Sequence, residues 1–272
     1  MEYVRLQGAT VPALGFGTFR MKGEECAAAV ARAITIGYRH LDTAEIYENE
    51  EAVATGIRES GIDRGELFVT TKAWMEDLSP TGVQKSLEGS LRRLGTDYID
   101  LWLVHWPNPA FPMRDTISAM LEAVSAGRVK HLGVSNFPVA LFQEAVSIAP
   151  IVCNQVEYHP YLSQAKVLAT ARANNAFVTA YAPVAMGKVR EDPVLTEIGD
   201  RHGRTPTQVA LRWLTQQSNV VAIPKAASPD HAVENFESFG FALTPDEMAR
   251  IHGLARGERL IDPDFGPEWD EA

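Results

Sequence analysis

The stretch YRHLDTAEIYENE, residues 38–50, changes character halfway along. A short apolar run ends in an acid, Asp42, and a polar loop then carries Tyr47 into an amphipathic segment over 48–59. This reads as strand, loop and helix, and an aspartate just before a helix is by itself an ordinary cap. The same unit recurs along the chain. Short apolar runs lie at 13–17 (ALGFG), 38–42, 66–72 (ELFVTTK), 98–105 (YIDLWLVH), 129–135 (VKHLGVS), 151–157 (IVCNQVE), 176–183 (AFVTAYAP) and 219–225 (NVVAIPK). Helical patterns fill 23–36, 48–59, 80–94, 113–126, 138–147, 163–174, 206–217 and 229–237, several of them opening on start signals such as SPTG at 79–82 and TPTQ at 205–208.

Strands alternating with helices in this number predict an α/β fold, a closed (β/α)8 TIM barrel spanning 1–272 as one domain. An open doubly wound sheet rarely needs so many units. Three pieces fall outside the repeat. The first twelve residues, with LQGATVP as a turn, predict a β-hairpin that plugs the barrel floor. Residues 192–203 predict an extra helix after the seventh strand, and 244–255, opening on TPDE, another after the eighth unit.

The bulk numbers narrow the function. The chain has 272 residues, 46% hydrophobic and 22% charged, with a net charge of −10 that disfavours nucleic acid or an anionic membrane as main partner. The two cysteines, Cys26 and Cys153, lie in apolar surroundings without metal-ligand spacing and read as buried free thiols. The start of the chain lacks a signal-peptide pattern and no run approaches a spanning length, so a cytoplasmic protein is expected, with monomer as the default.

In a barrel of this kind the chemistry gathers at the C-terminal ends of the strands. Those ends carry Asp42, Lys72, His105, Ser135, Asn136, Gln155, Tyr181 and Lys225, with Tyr47 in the loop after the second strand. Each alone has a plain structural explanation: a cap, a rim charge, a hydrogen-bonded core histidine, a packing tyrosine. Together they form a proton-delivery unit. A nearby ammonium, Lys72, favours the phenolate of Tyr47, Asp42 holds the lysine, and His105 donates a hydrogen bond to a substrate oxygen. Such a unit protonates a carbonyl oxygen as something adds to its carbon. No metal-ligand motif, GxSxG elbow or P-loop occurs, and GFGTFR at 15–20 has Arg20 where a dinucleotide fingerprint needs glycine.

The residues now carry a resemblance. GFGTFR, HLDTAEIYENE, FVTTKAW, DLWLVHWP, GRVKHLGVSNF, VCNQVEYHP and IPKAASPDHAVENF, in this order, resemble the motifs of the aldo-keto reductases from end to end. Within that family the chain looks most like the bacterial 2,5-diketo-D-gluconate reductase branch. The resemblance implies an enzyme, an NAD(P)H-dependent oxidoreductase that binds an extended nicotinamide cofactor without a Rossmann domain. It implies Tyr47 as general acid, Lys72 lowering its pKa, Asp42 paired with Lys72, and His105 orienting the carbonyl. Ser135, Asn136 and Gln155 are implied to hold the carboxamide, and Tyr181 to stack on the nicotinamide. The first strand's Gly17, Thr18 and Phe19, with Asp42, the loop residues Ala182, Pro183 and Val184, and the stretch Ile223, Pro224, Lys225 and Ala226, complete the implied cofactor surface. The resemblance further implies that Lys225 meets the 2′-phosphate, with Ser228 and His231 beside it, and that Glu234 and Asn235 meet adenine.

One departure matters. Where the family's NADPH-preferring members carry a hydroxyl and an arginine, this chain has Ala226 and His231. NADPH remains the expected cofactor, with NADH usable as a consequence of weaker phosphate grip. The substrate pocket is expected beside Tyr47 and His105, walled by Phe19, Trp74, Trp106, Phe111 and the tail RLIDPDFGPEWDEA, which suits small carbonyl compounds such as 2,5-diketo-D-gluconate, methylglyoxal and other aldehydes. No metal is expected. Two other readings stay open: a barrel lyase forming a Schiff base on Lys72, and a nicotinamide-binding sensor with little turnover.

Overall fold

The computed structural model describes residues 2–226 and 228–270. A hairpin of β1 (Tyr3–Leu6) and β2 (Ala9–Pro12) comes first, turning through Gln7 and Gly8 at φ 46° and 79°. Two successive left-handed residues make the tight turn that matches strand twist, which is why glycine stands there. The barrel strands follow: β3 (Phe16–Gly17), β4 (His40–Asp42), β5 (Phe68–Ala73), β6 (Ile99–Val104), β7 (Val129–Ser135), β8 (Ile151–Glu157), β9 (Phe177–Tyr181) and β10 (Val220–Ala222). They pair in chain order, all parallel. The sheet closes on itself through parallel bridges Leu14–Ala222 and Gly17–Lys225, with Gly15 N donating to Ala222 O at 2.8 Å and Gly17 N to Pro224 O at 3.1 Å. Gly17 is needed at this seam, because a Cβ there would stand 2.9 Å from the Ile223 carbonyl oxygen.

Around the strands run α1 (Gly23–Ile36), α2 (Glu50–Ser60), α3 (Pro80–Leu94), α4 (Met113–Ser125), α5 (Val139–Ile148), α6 (Ala165–Ala173), α7 (Pro193–His202), α8 (Pro206–Thr215), α9 (Pro229–Phe236) and α10 (Pro245–His252). The extra helices expected near 192–203 and 244–255 are α7 and α10. Thr205 and Thr244 each close a capping box, with Gln208 and Glu247, so α8 and α10 start where the sequence signals lie.

Strand parity positions the chemistry. On β6, Trp102 and Val104 join the core between strands and helices, whereas Leu101 and Leu103 join the barrel interior. Ala9 and Val11 of β2 pack into that same interior cluster with Phe68, Val152, Phe177 and Val221, so the hairpin does seal the floor. Because side chains alternate along a strand, Phe68 inward means Lys72 inward; Leu103 leads to His105, Cys153 to Gln155 and Glu157, and Phe177 to Tyr181. The polar residues at the strand ends therefore share one inner face. The interior's lower layers are apolar and its top layer is not. Both cysteines are buried and unpaired, and burial pushes Cys26 up to about 11 and Cys153 up to about 12, so neither is a ready thiolate. Among the described residues no helix is long and apolar enough to cross a membrane.

Candidate active site

Asp42 does not cap a helix. Its Oδ1 accepts from Lys72 Nζ at 2.6 Å, and its Oδ2 accepts from Gln155 Nε2 at 2.8 Å. Lys72 also donates to the Thr43 carbonyl at 2.7 Å and is wholly buried. A buried ammonium needs such a partner. Burial pushes the Lys72 pKa down and Asp42 opposes that push. The lysine's donors face a carboxylate and a carbonyl and it has no exposed surface, which counts against a role as a Schiff-base nucleophile.

Tyr47 lies over this pair, its ring centroid 5.1 Å from Lys72 Nζ and 5.7 Å from the ring of His105, edge to face. The loop that carries it is locked from both sides. Asn49 Oδ1 accepts from Thr43 Oγ1 at 2.6 Å, and its Nδ2 donates to the Thr18 and Met21 carbonyls at 2.9 and 3.0 Å. Glu50 accepts from Thr71 Oγ1 at 2.6 Å and from Arg93 Nε at 2.7 Å, while Glu45 accepts from Ser86 Oγ at 2.7 Å. Asn49 and Glu50 open α2 in sequence, yet their side chains brace the loop rather than cap the helix.

The electrostatics differ from the sequence expectation in one respect. Lys72 was expected to lower the Tyr47 pKa; instead burial, with Asp42 adding to it, pushes the phenol well above its ordinary value of 10.0. The carboxylate 2.6 Å from the ammonium opposes the lysine's effect on the phenol. Tyr47 thus carries its proton at neutral pH. Burial, helped by Lys72, holds His105 well below 6.5, so the imidazole is neutral and keeps one N–H to donate. His40, one layer down, is pulled by burial to about 4 and adds no charge under Asp42.

Next to the pair stand the expected cofactor residues. Asn136, at φ 64°, donates from Nδ2 to the His105 carbonyl at 3.0 Å and to Ser135 Oγ at 3.1 Å, and its Oδ1 accepts from Tyr181 OH at 2.7 Å. The Tyr181 ring is thereby held in one orientation, half-buried at the rim. Hydroxyl and amide groups of Ser135, Asn136 and Gln155 converging beside a fixed aromatic face fit a planar carboxamide on a flat ring. Thr18 is fully buried, its Oγ1 donating to the Asp42 carbonyl at 2.9 Å, and Gly17, Ile223 and Pro224 form the closing seam. Ala182 departs from β9 at φ 47°, leading through Pro183 and Val184 into a loop that reaches Arg190.

After β10, Lys225 is exposed and Ala226 buried, with Ser228 preceding α9 and His231 half-buried on it. Asn235 is buried; Glu234 accepts from Thr205 Oγ1 at 2.6 Å and lies 4.0 Å from Arg190. Arg190 was not singled out in the sequence, since a lone cation in a loop has no local signature.

The mouth is aromatic. Phe19 packs on Tyr47 with centroids 5.0 Å apart, and Trp74 on His105 at 5.3 Å. Phe111, expected as a wall, is half-buried and packs against the main core. The tail, also expected as a wall, brings two aromatics: Phe265 meets Trp74 at 5.9 Å and Trp106 at 5.4 Å, and Trp269 meets Trp106 at 6.0 Å.

Residues 13–256 match the family model described as the aldo/keto reductase family. The methylglyoxal reductase DkgB of Salmonella typhi is 39% identical over 267 residues, covering 96% of this chain and 100% of that protein. The glyoxal reductase of Bacillus subtilis is 39% identical over 267 residues, covering 97% and 94%. A crystal structure assigned provisionally as 2,5-diketo-D-gluconic acid reductase B superposes with a TM-score of 0.97 at 49% identity, covering 100% of this chain and 98% of that one.

Proposed function

The chain belongs to the aldo/keto reductase family of NAD(P)H-dependent oxidoreductases, and from that premise we propose that it reduces small aldehydes and ketones with NADPH, using Tyr47 as the proton donor. The observation that carries the reading is the buried Lys72–Asp42 pair at 2.6 Å under a protonated Tyr47 and a neutral His105. When bound, the nicotinamide supplies the hydride. The protein supplies the rest. His105 donates a hydrogen bond to the carbonyl oxygen, polarising it, and Tyr47 transfers its phenolic proton to that oxygen as negative charge develops. Asp42 and Lys72 fix each other and the floor beneath the phenol. Ser135, Asn136 and Gln155 hold the carboxamide, and the Tyr181 ring selects which face of the nicotinamide meets the substrate.

Lys225 supplies the charge for a 2′-phosphate, with Ser228 beside it at the start of α9. Ala226 and His231 offer neither hydroxyl nor guanidinium, so discrimination against NADH is weak. The aromatic mouth suits small carbonyl compounds. Methylglyoxal, glyoxal and 2,5-diketo-D-gluconate, after which the similar proteins are named, head the substrate list. The test is oxidation of NADPH and NADH over a panel of such carbonyls, wild type beside Tyr47→Phe. Loss of turnover by a factor of about 10² or more with cofactor affinity kept is expected. Near-normal reduction by Tyr47→Phe would remove the proposed acid, and binding without turnover across the panel would favour a sensor.

A further inference from the structure

Glu157 ends β8 on the same inner face as Gln155, two residues beyond it, and is wholly buried. The tetrad does not use it. Its carboxylate accepts from Leu260 N at 2.7 Å and His159 Nε2 at 2.9 Å through Oε1, and from Ile261 N at 2.9 Å through Oε2. A carboxylate taking two consecutive main-chain amides from a segment a hundred residues away is a fastening, since charged acceptors make the stronger bonds and an orphaned buried carboxylate is costly.

What it fastens is the segment that roofs the mouth. Upstream, Arg256 N and Glu258 N donate to the Tyr161 carbonyl at 3.1 and 3.0 Å. Downstream the tail is stapled to itself: Arg259 lies 3.7 Å over the Trp269 ring, and Trp269 Nε1 donates to Asp262 Oδ1 at 2.8 Å. This unit presents Phe265 and Trp269 to Trp74 and Trp106. On its other side, toward α5 and α6, a cavity of about 380 Å³ lined by Phe137, Leu162, Val167, Arg259 and Trp269 leaves the tail without close packing. Apart from Asp270, which accepts from Val139 N at 2.9 Å, the tail's polar hold between 259 and 270 on the barrel is concentrated at Glu157.

We propose that Glu157 is a positioning residue for substrate: by fastening Leu260 and Ile261 it seats Phe265 and Trp269 over the mouth and so sets how tightly small carbonyl compounds are held. The inference rests on carbonyl reduction at this mouth. In Glu157→Gln the amide NH2 must face one of the N–H donors, so at least one fastening bond is lost without a change of size.

The test has two readouts. Hydrogen exchange, followed by mass spectrometry on the whole protein, measures the Leu260 and Ile261 amides directly and needs no turnover. In Glu157→Gln they should exchange at least about tenfold faster, with β4, β5 and β6 unchanged. Steady-state kinetics with methylglyoxal should show KM raised about tenfold while the dissociation constant for NADPH stays within about twofold. The same substitution in a Phe265→Ala/Trp269→Ala background should add little to KM, because the roof it positions is gone. Leu260→Pro, which deletes one donor and leaves Glu157 in place, should move KM in the same direction and serves if Glu157→Gln fails to fold. Unchanged exchange at 260–261, an unchanged KM, or a KM rise that persists undiminished in the roofless background would each overturn the proposal. A wild type that reduced no carbonyl would instead sink the reading of the preceding section, leaving the exchange result to decide the fastening.

Discussion

Asp42→Asn isolates the charge on which the site is built. The substitution keeps shape but removes the counter-charge, leaving the Lys72 ammonium, with no exposed surface, only neutral acceptors: the new carboxamide oxygen and the Thr43 carbonyl at 2.7 Å. Removing one partner of a buried pair typically costs about 3–5 kcal/mol. Here the lysine has an escape, because it can discharge. Giving up a proton at pH 7 against an unfolded pKa of about 10.4 costs at most about 4.6 kcal/mol, and at pH 9 at most about 2 kcal/mol. The sign follows from linkage. A lysine with a folded pKa below its unfolded one binds fewer protons in the folded state, so stability rises with pH, and the penalty is gone above the unfolded value. In the native protein burial already lowers Lys72 against the opposition of Asp42; the variant removes the opposition. Urea titrations followed by circular dichroism should show Asp42→Asn less stable by about 3 kcal/mol at pH 7, with the deficit shrinking toward pH 9 at constant m. An unchanged midpoint at pH 7, or a deficit that grows between pH 7 and 9, would refute the buried-charge argument.

Two further outcomes are expected in solution. Lys225→Met should weaken NADPH about tenfold in kcat/KM and leave NADH within about twofold, whereas Ala226→Ser/His231→Arg should raise the NADPH-to-NADH ratio about tenfold; a ratio indifferent to both would mean the phosphate is held elsewhere. The rate of reduction should be flat from about pH 6 to 9, because His105 titrates well below 6.5 and Tyr47 well above 10.0, so a loss of activity with an apparent pKa near 6.5 would contradict a neutral His105.

The fold was legible because the apolar runs keep their spacing and because parity is rigid. Once Leu101 and Leu103 face inward, His105 must follow, and the same count places Lys72 and Gln155. What Phe111 packs against was not legible, because an aromatic in a loop packs wherever a neighbour leaves room and no periodicity says where. The bracing of Tyr47 by Asn49 and Glu50 was hidden for a related reason. Both residues occupy helix-start positions, where propensity alone explains them, and only the fold brings Thr18, Met21, Thr71 and Arg93 within reach. The hold of Glu157 on the tail spans a hundred residues and joins a side chain to main-chain amides, which carry no sequence identity at all.

The charge balance around Tyr47 gives Lys72 a different part from the one its sequence position suggests. An isolated ammonium at that distance would draw the proton off a phenol. With Asp42 in contact, the pair is close to neutral from outside, and burial with the carboxylate decides the direction of the shift. A phenol that keeps its proton is the form a reductase needs before the hydride moves, since the donor must be charged with a proton and not emptied of it. Charge enters only when the carbonyl oxygen begins to turn negative. In the proposed reaction the neutral His105 N–H and the Tyr47 O–H are the groups that would then donate to that oxygen. On this account Lys72 serves to hold Asp42 and the floor of the site, while burial and the carboxylate keep the proton on Tyr47.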